Sequence, residues 1–174
     1  MLIRKQAGRR AGLAVAAASA VLLSVFGTPA QAAPSGDQTA LQEFRTPGDA
    51  GWFYTLNTDE AASAAAKYKF TKSANIGSLY SKAAPGRTAV HRLRLKEGGP
   101  SYMLAIAPSE LSDARFVDEG IAGFTDTTRQ PGEVQLLRFS NHGAWRVLAD
   151  GRANIDNMKA AGYQVDGPLG WFHP

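Results

Sequence analysis

Three copies of one pattern run through the chain after residue 40, and no other feature restricts its fold as strongly. Each copy opens with a short apolar strand, at 41–44, 90–95 and 134–139. A turn follows: Pro47-Gly48-Asp49, Glu97-Gly98-Gly99-Pro100 and Asn141-His142-Gly143. The next strand begins with an aromatic residue, in Trp52-Phe53-Tyr54-Thr55, Tyr102-Met103-Leu104 and Trp145-Arg146-Val147-Leu148. Two apolar runs joined by such a turn predict a hairpin. Short helices are expected at 57–67, 108–111 and 150–161, with Asn57 and Asp150 as N-caps. Each copy then closes on an aromatic, a glycine and a last apolar strand. The aromatics are Tyr68, Phe116 and Tyr163, spaced 48 and 47 apart; the glycines are Gly77, Gly123 and Gly170, spaced 46 and 47 apart.

One such unit cannot bury its own apolar face, so three must share a core. Three are too few for a long solenoid. The expected fold is therefore mainly β with short helices: a closed, pseudo-threefold, β-trefoil-like domain. Its boundaries are read as a leader at 33–40 and one domain at 41–174, with repeats at about 41–87, 88–133 and 134–174.

The units resemble a tyrosine-rich repeat of unknown function, found in secreted bacterial and fungal proteins and often attached to secreted hydrolases. Trp52-Phe53-Tyr54-Thr55 looks like that family's H-F-Y-T element. Glu60 and Glu110 stand where its helix glutamate falls, and Arg92 and Arg138 where its first-strand arginine falls. Glu119-Gly120-Ile121-Ala122 matches its E-G-I-A, with Ala161-Gly162-Tyr163 and Asp166-Gly167 close to other family motifs. The family's histidine is replaced by Trp52, Tyr102 and Trp145. The resemblance spans nearly all of the chain after residue 40. It implies an architecture more than a reaction.

Residues 1–32 read as a cleaved signal peptide. Arg4, Lys5, Arg9 and Arg10 precede an apolar run at 11–26, then Pro29 and Ala30-Gln31-Ala32. The run of about 16 residues is shorter than a bilayer span of ~20. The residues after Arg9-Arg10 favour the general route over twin-arginine export. The expected mature protein is extracellular, monomeric and off the membrane. Removing the 4 basic residues of 1–32 from the 19 of the chain leaves 15 bases against 15 acids. That balance argues against nucleic acid as a partner. With 0 cysteines there is no disulfide, thiolate metal site or cysteine nucleophile.

Little suggests catalysis. His91, His142 and His173 are scattered, with no metal-ligand spacing. No G-x-S-x-G element, phosphate loop or dinucleotide fingerprint occurs. Asp59-Glu60 fits a helix start and Asp118-Glu119 a glycine turn. The expectation is a non-enzymatic protein without cofactor or metal that binds an extracellular polysaccharide. The candidate sites are at the hairpin tips: Trp52 beside Asp49, Tyr102 beside Glu97, and Trp145 beside Asn141. An exposed aromatic beside a carboxylate or amide can hold a sugar ring, and three weak sites give avidity. The same aromatics also suit a core. Arg92, Arg94 and Lys96 alternate on one strand, suited either to an anionic polymer or to plain solvation. The alternative function is a secreted protein-interaction module, an inhibitor or adaptor of an exported hydrolase.

Overall fold

The computed structural model describes residues 36–174, so the expected signal peptide and the start of the leader lie outside the described residues. The same order of elements, strand, strand, helix, strand, occurs three times. The first unit has β1 (Gln38–Arg45), β2 (Trp52–Thr55), α1 (Thr58–Ala66) and β3 (Thr71–Tyr80). The second has β4 (Arg87–Leu95), β5 (Tyr102–Ala105), α2 (Pro108–Leu111) and β6 (Phe116–Asp126). The third has β7 (Val134–Asn141), β8 (Ala144–Ala149), α3 (Arg152–Ala160) and β9 (Gln164–Phe172).

Local chemistry sets the helix ends. Asn57 caps α1, its side-chain oxygen accepting from the backbone N–H groups of Asp59 and Glu60 at 2.8 and 3.0 Å. Pro108 opens α2, where a missing N–H costs nothing. The N-cap of α3 is Gly151, not Asp150 as expected, and no side chain caps that end. Gly162, with φ 84°, stops α3 in the left-handed region, and the Tyr163 N–H returns to the Met158 carbonyl.

All strand pairs are antiparallel and belong to one nine-stranded sheet. In each unit the first strand lies between the other two. The path runs β2-β1-β3-β6-β9-β7-β8, with β4 joined to β6 and β5 to β4. Third strands meet across units at Tyr80 with Phe124 and at Asp126 with Trp171. A separate bridge joins Ser78 to His173.

The register gives the true correspondence between units. Glu43, Arg92 and Arg138 share one place in the first strands, opposite Tyr54, Leu104 and Val147. Trp52, Tyr102 and Trp145 share another, opposite Arg45, Arg94 and Ser140. Arg45, Arg94 and Ser140 also pair with Thr71, Val117 and Gln164. The residues just before those three are Phe70, Phe116 and Tyr163. Phe70, not Tyr68, is therefore the first unit's counterpart of Phe116 and Tyr163.

A central core gathers Leu41, Val90 and Leu136 from the first strands with Tyr54, Leu104 and Val147 from the second. Leu79, Leu169, Phe172 and Trp52 complete it. The repeated glycines sit against the third strand of another unit. A Cβ on Gly77 would stand 2.4 Å from the His173 carbonyl oxygen, and one on Gly170 2.3 Å from Thr125 Oγ1. Only glycine permits that approach.

Candidate functional site

The aromatics that open the second strands are pegs between units, so the rings expected to be exposed at Trp52 and Tyr102 are buried, while Trp145 is half-buried. Tyr102 packs into the cluster of Phe44, Phe53, Ala61, Ala64 and Phe70 in the first unit, its ring 5.0 Å from Phe53. Trp145, in the third unit, packs against the cluster of Leu93, Met103, Ala105 and Phe116 in the second. Its ring lies 5.3 Å from Phe116. Trp52, in the first unit, meets the third: Nε1 donates to the Tyr163 hydroxyl at 3.4 Å, and Arg146 lies 4.1 Å from the ring centre. Trp52 and Tyr102 are only 6% and 8% exposed, so neither offers a ring face to a sugar. The physical reason is strand length. β2 and β5 are four residues long and buried throughout, so their first residues have no solvent-facing position. The polar partners stay near the turns. Asp49 and Glu97 are exposed, Asp49 pairing with Arg45 at 3.4 Å, and half-buried Asn141 donates to the Ala161 carbonyl at 3.5 Å.

Ionic clamps accompany the pegs. Arg92 donates from Nη1 and Nη2 to the Glu60 oxygens at 3.0 and 2.7 Å, and from Nη1 to the Tyr54 carbonyl at 2.8 Å. Its Nε donates to Glu119 at 2.9 Å. Arg138 repeats each contact one unit on. It holds both Glu110 oxygens, the Leu104 carbonyl and, through Nε, Asp166. Between third and first units the polarity is reversed. There the buried carboxylate is Glu43, held by Arg146 at 3.0 and 3.1 Å and by the Tyr54 hydroxyl at 3.3 Å. Burial, and then the Glu43 charge, push the Tyr54 hydroxyl well above its ordinary pKa.

The clamp between the first and second units lies in a cleft. One cavity of about 390 Å³ is lined by Phe53, Ser63, Tyr68, Phe70, Arg94 and Tyr102 together with Glu60, Arg92 and Glu119. A second, of about 480 Å³, adds Asn57, Ser81, Gly120 and Ile121 around the same Glu60, Arg92 and Glu119. The two therefore meet at the ion cluster. Burial alone would raise the Glu60 carboxyl. Hydrogen bonds from Arg92 and Thr55, with the Arg92 charge, outweigh it and hold the pKa below the ordinary value. Burial would likewise lower the Arg92 guanidinium, but Glu60 and Glu119 hold it above its usual range.

Tyr68 is the exposed aromatic of this cleft, at 62%. The register explains it. Phe70 fills the packed position, so Tyr68 is left over, two residues earlier. Lys69 between them takes φ 58°, a left-handed conformation that non-glycine residues rarely adopt. Its ammonium donates to the Ala66 carbonyl at 2.9 Å and the Phe70 N–H donates to Ala64. This turn buries Phe70 while Tyr68 stays in solvent, with its ring centre 5.9 Å from that of Phe70.

Ile121 in the second cavity is 53% exposed. Among the described residues, no three His, Cys, Asp or Glu side chains gather as metal ligands. Comparisons of the chain with family models, curated proteins and solved structures find no match.

Proposed function

We propose that this is a secreted, non-enzymatic module that binds an extracellular glycan in the cleft between its first and second units. Tyr68 carries the reading. It is a surplus aromatic with no packed counterpart in the other units, held out into solvent beside fixed charged and hydrogen-bonding groups. An exposed aromatic face shields the apolar face of a sugar ring, and charged groups held by mutual ion pairs bind hydroxyls with little ordering cost. Two adjoining cavities suit successive sugars of a polymer better than one small molecule.

We also propose that the units close in a pseudo-threefold, trefoil-like arrangement. Its support is cyclic. Each leading aromatic enters another unit, each junction has its arginine–glutamate clamp, and the third strands pair at two junctions while His173, just after β9, bridges to Ser78 of β3 at the third. The resemblance to the tyrosine-rich repeat family fits the same scheme. The glutamate and arginine motifs that suggest it, at Glu60, Glu110, Arg92 and Arg138, are the partners in two of these clamps.

Retention of the purified protein on insoluble chitin, cellulose, peptidoglycan and a gelled uronate polymer tests the proposal. Retention on at least one is expected, weakened roughly tenfold in Tyr68→Ala with the melting temperature unchanged. Retention on none, or retention indifferent to Tyr68→Ala, would contradict it.

A further inference from the structure

We infer that the glycan bound in this cleft bears carboxylates, as a uronate polymer does, and that Arg94 reads them. The inference rests on the cleft reading above and names its ligand class.

Donors and acceptors in the cleft are out of balance. Glu60 gives both oxygens to Arg92. Glu119 gives one oxygen to Arg92 and the other to Arg94. Both cleft carboxylates are thus engaged on the protein side. Arg92 commits four of its five N–H donors to Glu60, Glu119 and the Tyr54 carbonyl. Arg94 differs. It uses Nε alone, donating to Glu119 at 3.0 Å, and its side chain is 40% exposed. Its two Nη groups make no hydrogen bond among the described residues, and it lines the cavity that Tyr68 lines. The spare charged capacity of the cleft is therefore a cationic pair of N–H donors, in the cavity that an exposed ring also lines.

A hydroxyl uses one such donor. A planar carboxylate accepts two parallel bonds from the Nη pair and meets the charge as well. Glu119 anchors the guanidinium at Nε, so less freedom is lost on binding. Long-range attraction contributes little, because the chain after residue 32 has equal numbers of acids and bases. Preference for an acidic sugar must then come from this local fork.

Affinity electrophoresis in gels holding polygalacturonate, or its carboxyl-reduced neutral form, separates the possibilities. The wild type is expected to be retarded at least about tenfold more strongly by the acid polymer. Arg94→Gln should lose that preference yet keep its binding to the neutral polymer. Arg94→Lys, with the charge but no fork, should keep only part of it. Arg152→Gln, which removes a 96% exposed cation on α3, should behave as wild type. Equal retardation by both polymers, an Arg94→Gln protein with full preference, or an Arg152→Gln protein that loses as much, overturns the uronate inference and leaves the cleft reading intact. Retardation by neither polymer overturns the uronate inference, and the cleft reading falls with it when no polymer of the retention panel holds the protein.

Discussion

Arg92 reaches from the second unit to Glu60 in the first and holds it through two hydrogen bonds of 2.7 and 3.0 Å. The contact fixes the two walls of the cleft against each other. Its side chains are 13% and 39% exposed, so its strength lies between that of a surface pair and a buried one. Replacing Arg92 by Met takes its guanidinium from Glu60 and the Tyr54 carbonyl and leaves Glu119 with Arg94 alone. Chemical denaturation should show a loss of about 2 kcal/mol, and a double-mutant cycle with Glu60→Gln should reveal coupling. The folded Glu60 carboxyl lies below its unfolded value of about 4.3. Its contribution is thus present above that value and lost as pH falls through the folded pKa, so the Arg92→Met deficit should shrink in acid.

The opposite pH dependence is expected at Glu133. This carboxylate is fully buried, accepting from the Gln130 N–H at 2.8 Å and the Tyr80 hydroxyl at 3.3 Å, with His173 at 3.8 Å. Burial raises its pKa most. The Gln130 N–H opposes the rise, the nearby Asp126 adds to it, and His173 tempers it. A raised carboxyl stabilises the fold below its unfolded pKa and loses that contribution as pH rises through the folded pKa. Melting curves at acid and alkaline pH should show wild type losing stability as this group ionises. Glu133→Gln, permanently neutral, should lose less. Identical slopes for the two proteins would refute the assignment.

Two glycines should respond differently to a side chain. At Gly170 a Cβ meets Thr125 Cβ at 2.7 Å with φ 114°, so Gly170→Ala should cost about 2 kcal/mol or more. At Gly151 nothing lies within 4 Å and the backbone is extended, yet the start of α3 has no side-chain cap. Gly151→Ser should leave stability unchanged or raise it by a few tenths of a kcal/mol.

Trp52→Ala should act on folding. Its ring is nearly buried in the core, so removal should cost about 3–5 kcal/mol by thermal or denaturant unfolding. Tyr68→Ala should cost almost nothing by the same measure, since the ring is mostly in water.

The recurring order of strand, strand, helix and strand was legible in the sequence because strands, turns and glycines follow local rules. The glycines Gly77, Gly123 and Gly170 mark places where strands of different units nearly touch. Which face each aromatic takes was not legible, since that depends on neighbours a hundred residues away, as with Trp52 and Tyr163. One signal of the cleft was present. The glycines recur at 46 and 47, but the aromatics Tyr68, Phe116 and Tyr163 recur at 48 and 47. The two-residue excess shows Tyr68 out of register, whereas Phe70 restores the spacing of 46. The Arg92–Glu60 clamp could not be read, because spacing alone does not reveal which strand arginine meets which helix glutamate across a junction.

We propose that a glycan lies in the cleft between the first two units and not at the hairpin tips. Amide chemical-shift mapping of the labelled protein, titrated with oligogalacturonate, tests it most directly. A glycan in the cleft should give shifts gathered at Tyr68, Arg94, Glu119 and Ile121 that saturate together. Shifts gathered at Asp49, Glu97 and Asn141, or spread without saturation, would contradict it.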